Sequence, residues 1–130
     1  MCGGVRWELS EQPVGASYCH CTRCQRRTGG AASVSARTTP GSLRVVQGEE
    51  LLRSWAPADG NPKVFCSDCG SALWAEDRTN PGVYFVRLGS FDEDPGVRPG
   101  FHQFVAYAAS WDDLPDDGLP RFPERRPASA

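Results

Sequence analysis

The 130-residue sequence has no apolar run approaching the roughly 20 residues of a membrane-spanning helix, which excludes a helical span. Its first residues lack the charged-then-apolar pattern of a secretory signal. The expected location is therefore the cytoplasm, where thiols stay reduced. Positive charge is not in excess. The 14 Lys and Arg residues against 16 Asp and Glu leave a net −2, and nothing in that balance points to nucleic acid or an anionic membrane as a partner. Lysine is nearly absent, Lys63 being the single one. The cationic chemistry is thus arginine, which suits bidentate carboxylate and phosphate recognition, although genomic codon bias explains the preference equally well. There is no internal repeat. The 14 Gly and 11 Pro are scattered along the chain and exclude long helices.

What is present describes one folded domain, with 39% hydrophobic and 23% charged residues. Val5–Leu9 alternates apolar and polar residues, the period of a half-buried strand. Val14–Tyr18, Ala31–Ala36, Lys63–Phe65, Leu73–Ala75 and Val83–Leu88 read as further strands, and Phe101–Tyr107 as the last. Leu43–Val46 and Leu51–Trp55 flank Gly48 and predict a hairpin. Thr22–Thr28 has little apolar periodicity and predicts a loop or one helical turn, stopped by Gly29-Gly30. The expectation is a mainly β domain of about eight short strands with little helix. It spans residues 1–124, with a flexible tail over 125–130.

The chemistry lies in the six cysteines. Cys19-His20-Cys21-Thr22-Arg23-Cys24 places three thiols within six residues, far more than packing requires. Two sulfurs on one tetrahedral zinc sit roughly 3.8 Å apart, given Zn–S bonds of about 2.3 Å. In an extended Cys-x-Cys both side chains lie on one side of the backbone, and a turn through Thr22 and Arg23 can bring Cys24 to a third corner. No local residue supplies a fourth, and three protein ligands with one open position is the catalytic arrangement. Cys66-x-x-Cys69-Gly70 is a second metal-binding turn, with Gly supplying a positive φ. Spacing alone leaves two partitions open. Either Cys21, Cys24, Cys66 and Cys69 share one zinc ribbon, or Cys19, Cys21 and Cys24 hold one zinc while Cys2, Cys66 and Cys69 hold another. Disulfides are a third possibility, disfavoured by the close spacing.

Cys2-Gly3-Gly4-Val5-Arg6-Trp7-Glu8, Cys19-His20-Cys21-x-x-Cys24 and Phe65-Cys66-x-x-Cys69-Gly70-Ser71-x-Leu73 occur in that order. Leu88-Gly89-Ser90-Phe91-Asp92, Pro99-x-x-His102 and Ser110-Trp111 follow them. Over nearly the whole chain this resembles the glutathione-dependent formaldehyde-activating enzyme family, relatives of centromere protein V. The resemblance implies a β-tent of short antiparallel strands with two Zn2+ sites. It implies Cys19, Cys21 and Cys24 as the catalytic ligands and Cys2, Cys66 and Cys69 as the structural ones. It also implies a carbon–sulfur lyase that adds glutathione to formaldehyde to give S-hydroxymethylglutathione. The family pattern begins with a further cysteine two residues before Cys2, whereas this sequence begins at Met1. The structural zinc is accordingly expected to lack one thiolate, with water or the Met1 amine in its place, unless the chain starts upstream.

Arg23, Arg26 and Arg27 stand beside the first cysteine cluster and could clamp the carboxylates of a thiol such as glutathione, the alternative being a solvated basic loop. His20, between two ligands, points opposite to them and is expected to pack or to shuttle protons. His102 is expected to be a buried structural histidine, and Asp92 to belong to a turn or to act as an acid–base group. Trp7, Trp55, Trp74 and Trp111 are expected in the core rather than in a substrate-stacking box. The competing functions are a non-catalytic zinc module that binds a protein partner and a redox-sensing cysteine cluster.

Overall fold

The computed structural model describes every residue from Met1 to Ala130. Ten strands alternate with one short helix: β1 (Arg6–Leu9), β2 (Gly15–Cys19), α1 (Thr22–Thr28), β3 (Ser33–Arg37), β4 (Leu43–Gln47), β5 (Leu52–Trp55), β6 (Lys63–Cys66), β7 (Ala72–Glu76), β8 (Tyr84–Arg87), β9 (Pro99–Gln103) and β10 (Arg121–Phe122). No helix is long and apolar enough to cross a membrane. Strands β1 and β4 form a two-stranded sheet; the other eight form a second sheet in the order β10-β9-β2-β3-β8-β7-β6-β5. The mainly β expectation holds. Pairing is antiparallel except at β2–β9 and β9–β10.

Register explains where the core sits. Ala16, Ala36, Val86, Trp74 and Val64 are direct cross-strand partners along one row of the large sheet, and all five are buried. Side chains alternate faces, so this row defines the inner face. The two-stranded sheet packs on it. Trp7 meets Trp74 edge-on at 6.3 Å between ring centroids, and Phe91 lies against Trp7 at 4.8 Å. Each fully buried aliphatic or aromatic side chain here contributes about 1.5–3 kcal/mol. The adjacent row, Ser17–Ser35–Arg87, lies one residue over and must face outward, together with the Cys19–Ser33 pair. That polar outer face carries the site described below.

Three expectations are corrected. The segments around Gly48 do not form a hairpin: β4 pairs with β1 and β5 with β6, in different sheets. Gly48 has φ +78°, and Glu49–Leu51 form a 3-10 turn that carries the chain from one sheet to the other. A Cβ on Gly48 would sit 2.1 Å from the Gly4 carbonyl oxygen, so the chain crosses where only glycine fits. Gly48→Ala is expected to cost several kcal/mol (about 1–3 for the backbone conformation, plus the clash), read as a lower urea midpoint with unchanged slope. Second, Phe101–Tyr107 is not one strand. It breaks at Phe104, whose φ of 59° makes it the one non-glycine residue in the left-handed region, and Val105–Tyr107 forms a 3-10 turn. The last strand is β10, in the proline-rich segment where no strand was expected. Third, Trp55 and Trp111 are 56% and 70% exposed and lie outside the core, whereas Trp74 is buried and Trp7 half-buried against it. Trp55 ends the edge strand β5 and has no sheet beyond it to cover its ring.

Candidate metal centre and the cationic cleft

The loop that ends β2 turns directly into α1. Cys21 is the N-cap of that helix: its backbone is extended (φ −63°, ψ 153°) and its sulfur accepts the Cys24 N–H at 3.3 Å. Gly29, left-handed at φ 69°, closes the other end. The helix is seven residues, about two turns, where the sequence predicted at most one. It forms without an apolar stripe, because a sulfur replaces the usual Ser or Asp cap. Gln25 adds a brace, its Nε2 donating to the His20 carbonyl at 2.7 Å and to the Tyr107 carbonyl at 2.8 Å.

This fold gathers the cysteines into two triads. The sulfurs of Cys19, Cys21 and Cys24 all lie within 4.8 Å of one another, as do those of Cys2, Cys66 and Cys69, with Cys2 and Cys66 3.8 Å apart. All six thiols are free of disulfides. The zinc-ribbon partition is overturned, because Cys21 and Cys24 cluster with Cys19 rather than with Cys66 and Cys69.

Each donor set fits a soft divalent ion such as Zn2+. In the first triad, hydrogen bonds from the Cys19 and Cys24 thiols pull Cys21 far below the ordinary thiol range, while Cys19 is pushed far above it by the same contacts with Cys21 and Cys24 and by burial. Three sulfurs this close cannot all be thiolates unless a shared cation balances them. In the second triad the Ser71 and Cys2 backbone N–H groups bring Cys69 down to about 7. Cys2 is raised: the Gly4 N–H favours its thiolate, but contacts with Cys69 and Cys66 oppose it. Cys66 is buried in the core cluster, so this second site is built into the fold, whereas Cys24 sits on a helix with no buried residue.

Cations surround the first triad. Arg87 belongs to the outward row beside Cys19; burial lowers its pKa, and the charges of Cys24, Cys19 and Cys21 oppose that shift. Arg27 and Lys63 are likewise lowered by burial and raised by Cys24. Arg87 Nη1 donates to Ser35 Oγ at 2.5 Å and Arg27 Nη2 to the Val64 carbonyl at 2.8 Å, while the Nε of each is buried without a partner. A buried donor left unsatisfied costs about 1–3 kcal/mol. Both arginines line a cleft of about 370 Å³ between α1, β3, β8 and the turn after Cys69. Of the other predicted arginines, Arg23 pairs with Asp59 at 2.8 Å and Arg26 faces solvent. Asp92 is exposed and paired with Arg6 in a separate, larger groove along β1; no cysteine lines either that groove or the cleft. Arg87, Lys63 and the serine row were missed by sequence reasoning. Their only signal was alternation within strands whose register a single sequence does not reveal.

His20 does point away from its neighbouring ligands, and both it and His102 are buried.

Two thiol triads stand on a mainly β scaffold, one anchored to the core through Cys66 and one on the face that carries Arg27, Arg87 and Lys63, and each could hold a metal ion. The family model described as glutathione-dependent formaldehyde-activating enzyme matches residues 1–107. A curated Halomonas elongata relative, provisionally named a glutathione-dependent formaldehyde-activating enzyme, is 30% identical over 120 residues, covering 87% of this chain and 76% of its own length. The crystal structure of a Rhodobacter sphaeroides protein superimposes with a TM-score of 0.59 at 27% identity, over 93% of this chain and 94% of that one. The chain belongs to the glutathione-dependent formaldehyde-activating enzyme family.

Proposed function

We propose that the protein is a carbon–sulfur lyase working in the direction of synthesis, adding the glutathione thiol to formaldehyde to give S-hydroxymethylglutathione. Cys19, Cys21 and Cys24 hold the catalytic zinc, and Cys2, Cys66 and Cys69 a structural one. Bound there, zinc supplies the Lewis acidity that lowers the pKa of a thiol at its fourth position. The observation that carries this reading is the convergence of the first triad with Arg27, Arg87 and Lys63 on one sheet face. Arg27 and Arg87 receive a carboxylate of the tripeptide and so fix the direction from which its sulfur approaches. The sulfur lone pair forms the C–S bond, the carbonyl π pair moves to oxygen, and the thiol proton ends on that oxygen. The positive cleft also favours the thiolate before attack.

X-ray absorption at the zinc edge, with and without glutathione, tests the reading. Added glutathione is expected to raise the mean sulfur coordination, and Arg87→Met to weaken that response roughly ten- to a hundredfold in glutathione concentration, a single charge-assisted contact being worth roughly 1.5–3 kcal/mol. A spectrum indifferent to glutathione would instead favour a zinc module with closed sites.

A further inference from the structure

The family model ends at residue 107, yet the segment beyond it returns to the metal loop. β10 runs parallel to β9, with the His102 N–H donating to the Pro120 carbonyl at 2.9 Å and the Phe104 N–H to the Glu124 carbonyl at 3.0 Å. The second bond holds the strained Phe104 at the break between β9 and its 3-10 turn. Tyr107 Oη donates to Glu124 Oε1 at 2.8 Å.

From this segment a chain of side chains reaches inward. Asp117 Oδ2 lies 2.9 Å from His102 Nε2, and His102 Nδ1 lies 2.9 Å from His20 Nε2. Tyr18 stacks on the His102 ring at 4.6 Å and 10°. The order has a chemical consequence. A carboxylate only accepts, so Asp117 requires the proton of His102 on Nε2; in the neutral ring Nδ1 is then an acceptor, and His20 must donate from its own Nε2. One surface carboxylate thereby selects the ring orientation and tautomer of the residue between two metal ligands.

The backbone of His20 is tied from the same side. Its N–H donates to the Gln103 carbonyl at 3.0 Å, and its carbonyl is bridged through Gln25 to Tyr107, the residue Glu124 holds. His20 is therefore gripped at ring, N–H and C=O by residues 102–107, which the C-terminal segment holds in turn.

We propose that residues 117–126 are a positioning strap for the Cys19–Cys24 metal loop, acting through the Asp117–His102–His20 relay. The inference rests on that loop holding a metal. Asp117, His102 and His20 are positioning residues; none is asked to touch substrate.

The zinc-loaded protein provides the test, with Asp117→Asn and Asp117→Ala. Asparagine keeps the size and a hydrogen bond but can donate as well as accept, so it alters only the selection of tautomer. At a pH where both rings are neutral, nitrogen-15 NMR of the histidine side chains should show one tautomer, Nε2–H, for His102 in the parent. Asp117 Oδ1 also accepts the Leu119 N–H at 3.1 Å, so in Asp117→Asn the amide oxygen stays there, the NH2 faces His102 Nε2 and the ring should shift away from Nε2–H. Zinc transfer to a chromogenic chelator should accelerate about tenfold in Asp117→Ala at one site only, the site missing from Cys24→Ser, while release from the Cys2–Cys66–Cys69 site is unchanged. Unaltered tautomers, or equal acceleration at both sites, would overturn the strap. A parent protein with no zinc on Cys19–Cys24 would defeat the metal reading instead, and the NMR comparison would still decide whether Asp117 sets the relay.

Discussion

Cys24→Ser is expected to release one of two bound zinc equivalents, abolish the response to glutathione and leave the fold standing. The reason is position. Cys24 lies in α1, which buries no residue, and its sulfur joins only Cys19 and Cys21. A hydroxyl replaces the thiolate as a far poorer ligand for a soft ion, and two thiolates alone do not retain zinc against a chelator. The helix keeps its cap, because Cys21 still accepts the backbone N–H of residue 24. The large sheet keeps its buried row, to which Cys24 contributes nothing. The stability loss should thus stay below about 2 kcal/mol, the range of substitutions outside a core. Metal analysis and a thermal melt on the same sample check both halves. If the melt collapses along with the metal, the triad is a structural staple and the proposed catalytic role fails.

Cys66→Ser should behave in the opposite way, losing the other zinc and most of the cooperative fold with it. Cys66 ends β6 with 2% exposure, inside the cluster of Val64, Leu73, Trp74 and Val86. Its sulfur ties that core to Cys2 at the head of the chain and to Cys69 beyond the turn. In small metallo-domains a structural zinc supplies on the order of 10 kcal/mol of folding free energy. That is comparable with the whole stability of a typical domain, roughly 5–15 kcal/mol. The serine also places a hydroxyl in apolar surroundings, at about 1–3 kcal/mol. The expected result is a broad, low-temperature melt or none, with residual zinc confined to the Cys19–Cys24 site or lost altogether. A sharp melt within a few degrees of the parent would show that the Cys2–Cys66–Cys69 cluster does not hold the fold together.

The contrast between these two cysteines shows what the chain states locally and what it does not. Cys19-x-Cys-x-x-Cys24 and Cys66-x-x-Cys69 announce metal binding because their geometry is short-range: period-two alternation and a tight turn bring the sulfurs together whatever the rest of the chain does. The same alternation made β1 legible, while β6 and β8 stood out as short runs rich in β-branched and aromatic residues. The Gly48 crossover was misread because a turn glycine between two apolar segments looks the same whether the strands pair with each other or part into separate sheets. The close approach of Gly4 that decides the matter comes from far away in the chain. α1 was legible only as a loop or one turn over the same residues, because its cap is a cysteine sulfur and its face is polar.

By itself, then, the sequence determined a mainly β domain carrying cysteines at metal-ligand spacing, since strand period and ligand spacing are local properties of covalent geometry. The family resemblance already grouped Cys66 and Cys69 with Cys2, but choosing that grouping over the zinc ribbon on geometry needed the three-dimensional path of the chain. So did the delivery of Arg87 and Lys63 to the reactive face, and the return of Asp117 to His102. Such contacts join residues far apart in the chain, Cys2 to Cys66 over 64 positions, Ser35 to Arg87 over 52 and His102 to Asp117 over 15, and they need the strand register that hydrophobic packing sets only when all the strands are present together.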